Sequence, residues 1–278
     1  MSSTPFSRLL TDARSAGRGV GAFNVVLLEH AEAIVAGACR AGLPVVLQIS
    51  ENCVRYHGDL TPITVAAQAV ARAADVPVLV HLDHVTDVDL VEHGLELGVS
   101  SVMFDASALP FEQNVELTGR VADRCRAAGA GCEAELGVVG GKDGVHAPGA
   151  RTDPAEAARF VAMTGVDALA VAVGTSHAMR TRDADVDLDL IAELAAAVPV
   201  PLVLHGSSGV PDDRLRAATA AGVTKVNIST HLNGLFTAAV REVLTQQPSL
   251  TDPRTYVRAG RTAVRDETAR LLELLAGR

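Results

Sequence analysis

The sequence predicts an α/β protein: a single (β/α)8 TIM barrel over residues 1–278, with an extra C-terminal helical segment. Three observations carry this prediction. Eight short apolar runs bounded by Gly or Pro alternate with Ala-rich stretches of helical periodicity. Most of the runs are continuously apolar over several residues, as expected for strands buried on both faces. A chain of 278 residues also suits one α/β barrel, since such barrels form single domains of about 250 residues.

The order of elements follows from these runs. Strands are predicted at Gly21–Val26, Pro44–Ser50, Pro77–His84, Ser101–Asp105, Gly131–Gly137, Ala168–Gly174, Pro201–Gly206 and Lys225–Ser229. Helices are predicted at Glu29–Ala41, Pro62–Ala74, Val88–Leu97, Phe111–Ala128, Pro154–Thr164, Asp189–Ala197 and Pro211–Ala221. Several of these helices open on Asp, Thr or Pro and close on Gly, the usual start and stop signals. A doubly wound open sheet is the alternative arrangement.

Two further segments differ in composition from the alternating units. The loop Gly137–Gly149, after the fifth strand, is rich in glycine and is predicted to be a mobile lid. The segment Asp252–Gly277 is predicted to form one or two amphipathic helices outside the barrel. Because its acidic and basic residues alternate, we expect it to present a solvated face.

Composition restricts the partners and the compartment. The net charge of −9 argues against a nucleic-acid or anionic-membrane partner, which needs a clustered basic surface. Cys39, Cys53, Cys125 and Cys132 lack CxxC spacing and are predicted to be reduced thiols. The polar N-terminus lacks the apolar run of a signal peptide, and no window approaches the ~18 apolar residues of a membrane span. We therefore expect a cytoplasmic protein that does not enter a membrane.

Three histidines occupy matching positions at predicted strand ends: His84, His177 and His205. In a parallel barrel all C-terminal strand ends open onto one face, so these imidazoles are expected in one pocket. Zinc binds histidine nitrogens, and catalytic zinc sites combine three protein ligands with an open fourth position. The pattern predicts a catalytic zinc site. Four other histidines are expected to be hydrogen-bonded structural groups: His57, His93, His146 and His231.

The residues before the first of these histidines allow two interpretations. Strand alternation places His81 and Asp83 on one side, so His84 is expected to turn inward only where the strand ends. His81 is then a barrel-interior residue or a support for a ligand. Asp83 is either a carboxylate that orients an imidazole or a general acid/base, and its position leaves both roles open.

Two segments after the seventh and eighth strands suit an anion. His205–Gly209 reads His-Gly-Ser-Ser-Gly before a helix, and Asn227–Thr230 reads Asn-Ile-Ser-Thr. Loops at these two places, with free backbone N–H groups and hydroxyls, form the usual phosphate site of a barrel. Ordinary turn chemistry explains either loop alone. Their joint occurrence at the expected strands favours a phosphate site.

Taken in order, these segments resemble the class II (metal-dependent) ketose-bisphosphate aldolases, the fructose- and tagatose-bisphosphate aldolase family. The similarity covers nearly the whole chain, from Gly21 to Arg254. It includes Gly21–Val25, Gln48–Ser50, His81–His84, Ser101–Asp105, Glu133–Gly137, Gly174–His177, Leu204–Gly209 and Lys225–Ile228. Each motif is weak alone, and all of them in order are specific.

The resemblance implies a role for each matching residue. His84, His177 and His205 would bind the catalytic Zn²⁺, while Asp105 and Glu135 match carboxylates at which a displaced or second metal can sit. Asp83 would take the C4 hydroxyl proton as the C3–C4 bond breaks, with no lysine Schiff base. A monovalent cation, Na⁺ or K⁺, would bind near Gly174. The implied substrate- and phosphate-binding residues are Asn24, Ser50, Gly206, Ser208, Asn227, Ser229, Thr230 and Arg254, the last for the far phosphate.

The chain departs from the family pattern at three places. Family members commonly carry Gly-Gly-x-Glu-Asp in the loop after strand five, and its Glu exchanges a substrate carbon proton. Here residues 140–144 read Gly-Gly-Lys-Asp-Gly, with no Glu. Either Asp143 substitutes for the Glu with a shorter reach, or another group exchanges the proton. Ala178 replaces a frequent Gly, and His231 replaces a frequent acidic residue. These changes affect the aldehyde half of the substrate more than the metal site.

The sequence therefore predicts a zinc-dependent aldolase that releases dihydroxyacetone phosphate and an aldehyde from a ketose bisphosphate. Fructose 1,6-bisphosphate is the first candidate, followed by tagatose 1,6-bisphosphate and a 1-phosphorylated ketose-like acid. A zinc hydrolase is a weaker alternative because it leaves the phosphate loops without a purpose. A sugar-phosphate-binding homologue without turnover is the alternative outside enzymes, motivated by the missing loop Glu. The resemblance also implies a homodimer or larger homo-oligomer.

Overall fold

The computed structural model describes residues 4–136, 151–175 and 182–278. Its eight parallel strands form a closed barrel in sequence order, and the last strand pairs with the first. The predicted (β/α)8 barrel with a C-terminal helix is confirmed. The strands are β1 Val20–Asn24, β2 Val45–Ser50, β3 Val78–Val85, β4 Ser101–Phe104, β5 Gly131–Leu136, β6 Ala168–Val171, β7 Leu202–Leu204 and β8 Val223–Ile228.

Eleven α-helices are present in the described ranges. They are α1 Pro5–Ser15, α2 Leu28–Ala41, α3 Glu51–His57, α4 Thr61–Arg72, α5 Val88–Glu96, α6 Phe111–Ala127, α7 Pro154–Thr164, α8 Leu188–Ala197, α9 Asp212–Ala221, α10 Thr230–Gln246 and α11 Pro253–Leu275. A short 3-10 turn, Ser207–Gly209, follows β7. All seven predicted helices are present, whereas α1, α3 and α10 were not predicted. Of these, α3 is only 7 residues long, too short for periodicity to identify it.

Helix α1 closes the N-terminal end of the barrel. Phe6 and Leu10 are fully buried and pack with inward-facing residues such as Ala22 and Val203. The Phe6 ring also stacks on the ring of His81, with centroids 5.6 Å apart. Gly131 makes room for Phe6, because a Cβ atom there would lie 2.4 Å from Phe6 Cδ1. An apolar plug therefore seals the floor beneath a more polar barrel interior.

Helix α11 packs one side against the barrel wall and exposes the other, as expected for an amphipathic helix. Leu271, Leu272 and Leu275 are buried in the main core, and α11 packs along α2. The carbonyl of Leu275 accepts a hydrogen bond from the Gly19 amide at 2.8 Å, just before β1. The prediction of an amphipathic helix outside the barrel is confirmed, and the alternating charges lie on its exposed side. The opposite side carries the apolar residues at helical spacing.

Two compositional predictions can be compared with the described residues. Cys39, Cys53, Cys125 and Cys132 are all free thiols, as predicted. Burial raises the pKa of the Cys53 thiol to about 11, so this group stays protonated near neutral pH. Within the described ranges, no helix combines the length and apolar character needed to cross a bilayer.

Candidate active site

An irregularity in β3 turns His84 towards the barrel interior. The register between β3 and β4 shifts between Leu82 and Val85, and His84 has a positive φ of 51°. Regular alternation would direct His84 away from the interior side occupied by His81 and Asp83. The sequence analysis expected this turn at the end of the strand. That detail was wrong, since β3 continues to Val85 and the turn is made within the strand.

The side chains of His84, Glu135 and His205 converge on one point. One ligand atom from each lies within 4.8 Å of the other two. The side chains of His205 and Glu135 are 0% and 3% exposed, and that of His84 is 10% exposed. Two imidazoles and a carboxylate in such an enclosed place suit a divalent metal such as zinc. The third predicted ligand, His177, lies outside the described residues.

Carboxylates hold the far nitrogens of these two histidines. Nδ1 of His84 lies 2.9 Å from Oδ2 of Asp105, and Nε2 of His205 lies 3.0 Å from Oε1 of Glu133. A hydrogen bond of this kind fixes the tautomer and leaves the other ring nitrogen for a metal. Nδ1 of His205 indeed faces Glu135, at 2.9 Å. Sequence reasoning missed Glu133, although two glutamates at alternate positions of an apolar strand are an available signal.

Glu133 and Glu135 also determine the direction in which the pKa of His205 is shifted. Burial alone would lower the pKa of this imidazole, but hydrogen bonds to Glu133 and Glu135 outweigh burial and raise the pKa to about 9. Carboxylate oxygens next to both ring nitrogens therefore favour positive charge at this position. The pocket is built to stabilise a cation between its carboxylates.

Asp83 lies beside the cluster and is held by two amides. Nδ2 of Asn24 donates to Oδ2 at 2.9 Å, and Nε2 of Gln48 donates to Oδ1 at 3.0 Å. Burial alone would raise the pKa of Asp83, but electrostatic interactions with His84, His205 and Lys225 keep it well below its usual range. The carboxylate is therefore ionised and fixed in orientation, two conditions for accepting a proton, although the lowered pKa makes it a weaker base than a free aspartate.

Asn24 and Gln48 thus acquire a more specific role than the sequence suggested. Asn24 was predicted to bind substrate or phosphate. In the structure its side-chain amide donates a hydrogen bond to Asp83. Gln48 had no predicted role beyond its motif. A fully buried Gln in the otherwise apolar β2 is the signal that could have identified it.

A buried lysine lies one layer of side chains below the histidine cluster. Lys225 was expected to begin a strand, but it lies inside β8 and is 0% exposed. Its Nζ atom is 2.9 Å from Oε2 of Glu133 and 2.8 Å from Oδ1 of Asn227. Burial alone would raise the pKa of Glu133, but Lys225 and the neighbouring imidazoles lower it to about 2. The interior beneath the histidine cluster therefore carries a compensated pair of charges.

The structure brings the two predicted phosphate segments together. The backbone N–H of Ser229 donates to Oγ of Ser208 at 3.2 Å, which joins the turns after β8 and β7. Gly206 adopts a φ of +66°, a conformation that a residue with a side chain adopts only with strain. Thr230 begins α10, whose N-terminal amides favour an anion. Beside these turns lies a cavity of about 660 Å³ lined by Arg182, Ser208, Thr230, His231, Arg241 and four neighbours.

Other predicted residues have local roles in the structure. The Oγ atom of Ser50 accepts from the Cys53 amide at 3.2 Å and caps α3. Arg254 is 85% exposed and pairs with Asp252 at 2.8 Å at the start of α11. Asp143 lies outside the described residues.

The histidines assigned structural roles are largely as expected. His57 contacts the carbonyl of Val26, His93 contacts Thr61, and His231 pairs with Glu267. His146 lies outside the described residues. His81 is buried inside the barrel, as one of its two interpretations required, with Nδ1 2.7 Å from Oγ of Ser101. Burial and the nearby Lys225 lower the pKa of His81 to about 3, so its ring is neutral.

A parallel barrel with a histidine–carboxylate cluster beside an amide-bound aspartate is the arrangement of a metal-dependent barrel enzyme. The family model for class II fructose-bisphosphate aldolase matches residues 4–277. The chain therefore belongs to the class II fructose-bisphosphate aldolase family, a family of aldehyde-lyases with a divalent metal and a sugar-phosphate substrate.

Solved structures show the same likeness. The YdjI aldolase from Escherichia coli K12 is 31% identical with a TM-score of 0.85, and the alignment covers 98% of this chain and 97% of that one. A candidate fructose-1,6-bisphosphate aldolase from Coccidioides immitis is 29% identical with a TM-score of 0.87, covering 99% and 96%. A fructose-bisphosphate aldolase from Campylobacter jejuni, at 23% identity and a TM-score of 0.83 over 99% and 95%, supports the fold.

Proposed function

We propose that this protein is a zinc-dependent aldolase that cleaves a ketose bisphosphate to dihydroxyacetone phosphate and an aldehyde, reversibly. The observation that carries the proposal is the convergence of His84, Glu135 and His205 within 4.8 Å, with Asp83 next to His84 in β3. This combines a metal site with a general base in one pocket of a class II aldolase barrel.

Asp83 is the acid/base in this proposal. Asn24 and Gln48 hold both of its oxygens, so it can accept a hydroxyl proton from a substrate lying beside the histidine cluster and return it in the condensation direction. Zn²⁺ held by His84, His177 and His205 would supply Lewis-acid stabilisation of negative charge on substrate oxygens. Glu135 and Asp105 are the carboxylates proposed for a displaced or second metal position.

The phosphate of the dihydroxyacetone half is proposed to bind at the joined turns after β7 and β8. Its ligands are Gly206, Ser208, Asn227, Ser229 and Thr230, with the α10 N-terminus behind them. Because this site uses N–H groups and hydroxyls, it requires no basic surface on a chain of net charge −9.

The remaining assignments rest on the family resemblance. We propose Arg254 for the far phosphate, Ser50 for the substrate, and a Na⁺ or K⁺ ion near Gly174. Asp143 is proposed to replace the loop Glu in exchanging a proton at the substrate carbon. An Asp143→Ala variant that exchanges this proton with solvent at the wild-type rate would remove Asp143 from the mechanism.

Fructose 1,6-bisphosphate is the first proposed substrate, followed by tagatose 1,6-bisphosphate and other 1-phosphorylated ketoses. The departures at Asp143, Ala178 and His231 concern the part of the pocket for the aldehyde half. They also support the second candidate function, a sugar-phosphate-binding homologue without turnover. We further propose a single domain over residues 1–278, a cytoplasmic location, which the four free thiols favour, and a homodimer or larger assembly.

One assay separates these functions. Zinc-loaded protein is incubated with fructose or tagatose bisphosphate, with and without chelator, and triose phosphate is measured. Cleavage that chelator abolishes and zinc restores is expected. Cleavage that persists after metal removal contradicts the zinc mechanism, whereas saturable binding without triose phosphate identifies the non-catalytic homologue. Asp83→Ala is the matched control for cleavage by contaminating enzymes.

A further inference from the structure

We propose that Lys225 is a positioning residue whose single ammonium group orients two parts of the active site. Through Glu133 it fixes the metal-binding His205, and through Asn227 it directs an amide donor towards the substrate. This inference rests on the proposed aldolase function and deepens it. It assigns the buried lysine a role other than imine formation.

The first part of the argument is the placement of the lysine. Inward-facing positions of such barrels are dominated by Val, Ile and Leu, yet Lys225 and Glu133 are both 0% exposed inside this one. Because side chains alternate along a strand, Lys225 lies one layer below Asn227 on β8, and Glu133 lies one layer below Glu135 on β5. The ion pair is therefore directly beneath the groups proposed to meet metal and substrate.

The second part is the contact to the metal site. Nζ of Lys225 lies 2.9 Å from Oε2 and 3.2 Å from Oε1 of Glu133, so the ammonium reaches both carboxylate oxygens. Oε1 is also 3.0 Å from Nε2 of His205. A carboxylate held in this way can point only one oxygen at the imidazole. The ring is then locked with Nδ1 facing Glu135.

The third part is the contact to Asn227. Its Oδ1 atom accepts from Nζ of Lys225 at 2.8 Å, which decides which end of the amide faces the lysine. The Nδ2 atom is buried and has no hydrogen-bond partner among the described residues, and the residue is 8% exposed. Buried donors are usually satisfied, so this one is matched by an acceptor that arrives with the ligand. A phosphate or hydroxyl oxygen of the sugar phosphate supplies that acceptor.

A purely structural ion pair predicts a different result when it is removed. Replacing both partners of a buried pair by neutral groups of similar size is often neutral or stabilising. The positioning role instead predicts losses in zinc affinity and in substrate binding, even where the fold is as stable as before. These two quantities are therefore the readouts of the test.

The test compares Lys225→Met, Glu133→Gln and the double variant Glu133→Gln/Lys225→Gln with the wild type. Zinc affinity is measured on the purified proteins by competition with a chromophoric chelator, which requires no turnover. Both single variants are expected to bind zinc about 10-fold more weakly, in the range of lost contacts behind a metal ligand. Lys225→Met is also expected to raise the KM for the ketose phosphate several-fold, because Asn227 is no longer oriented. Glu133→Gln is expected to leave KM nearly unchanged, because the contact between Lys225 Nζ and Asn227 Oδ1 persists.

Each single substitution leaves an unpaired buried charge, which can prevent folding, whereas the double variant leaves none. The double variant therefore gives a result even where a single variant misfolds. It is expected to fold and still to bind zinc about 10-fold more weakly. Arg40→Met, which breaks an exposed ion pair with Asp266, is the matched control and should match the wild type. Zinc affinity within twofold of wild type in folded variants lacking the lysine overturns the proposal. If the wild type shows no cleavage, the aldolase function fails, and the zinc measurement still decides the link from Lys225 to His205.

Discussion

Nδ1 of His84 lies 2.9 Å from Oδ2 of Asp105, across from the irregularity that turns His84 into the barrel. Oδ1 of the same carboxylate accepts from the hydroxyl of Ser107 at 2.6 Å. The carboxylate is thus fixed on one side by the loop after β4 and fixes the imidazole on the other. This contact holds a histidine that occupies the left-handed region, where non-glycine residues are uncommon.

Replacing this carboxylate should weaken the metal site. For Asp105→Ala we expect zinc affinity to fall by about 10- to 100-fold, because His84 loses the group that fixes its tautomer and orientation. Chelator competition on the purified variant measures the change. Asp123→Ala, which removes an exposed partner of Arg126, is the control and should bind zinc as the wild type does. An unchanged affinity in Asp105→Ala would exclude an orienting role.

Removing the proposed base should separate metal binding from chemistry. For Asp83→Ala we expect retained zinc and a fall in kcat of about 100- to 10,000-fold, the usual contribution of general acid–base catalysis. Metal content by elemental analysis and the triose-phosphate assay give the two readouts. Loss of zinc from a folded Asp83→Ala protein would instead make Asp83 an orienter of the metal site.

The apolar plug, and Phe6 in particular, should contribute strongly to the free energy of unfolding. Phe6→Ala is expected to lower the free energy of unfolding by about 3–5 kcal/mol, since it removes a fully buried ring. Urea denaturation measures this change. Tyr56→Ala, at a position 69% exposed, is the control and should cost well under half as much.

Gly131 provides an independent check on that packing. Gly131→Ala should destabilise the wild type, because its new Cβ atom would lie 2.4 Å from Cδ1 of Phe6. In the Phe6→Ala background the same substitution should cost less, because the ring atoms Cδ1 and Cγ at 2.4 and 2.9 Å are gone and only the Cβ atom of residue 6, at 2.8 Å, remains close. Additive effects of the two substitutions on the free energy of unfolding would show that the two residues do not pack together.

Glu267 should make stability depend on pH at acidic values. Burial alone would raise its pKa, but hydrogen bonds from Arg270 and His231 outweigh burial and lower the pKa to about 2. Since the folded-state pKa lies below the ordinary value of 4.5, the stabilisation is complete above that value and is lost as pH falls towards 2. Glu267→Gln should therefore be less stable than the wild type by about 1–2 kcal/mol near neutral pH. The difference should shrink between pH 4.5 and 2 in urea titrations, and a constant difference would contradict the linkage.

Local signals in the sequence were sufficient for the barrel and for placing His84 and His205 in one cluster. Apolar runs such as Ala168–Val171 identify buried strands, and the alternation of strands with helices allows few other topologies. His84 and His205 follow or end such runs, so the common face of a parallel barrel brings them together.

The hydrogen bonds among the buried polar residues could not be predicted from these local signals. Gln48, Glu133 and Lys225 lie in three different strands, and a strand pattern says which face a side chain occupies but not which partner lies across the barrel. The inward turn of His84 was also misplaced, because it depends on a register shift between β3 and β4 rather than on the end of β3.

The sequence by itself determined the barrel, its order of elements and the residue types for a metal and a phosphate, because periodicity and strand ends are local properties of the chain. Only the tertiary structure decided which carboxylate holds which histidine, that two amides fix Asp83, and that Lys225 lies under the metal site. Those relations depend on barrel closure and strand register, which in this network place Lys225 and Glu133, 92 positions apart, within hydrogen-bond distance.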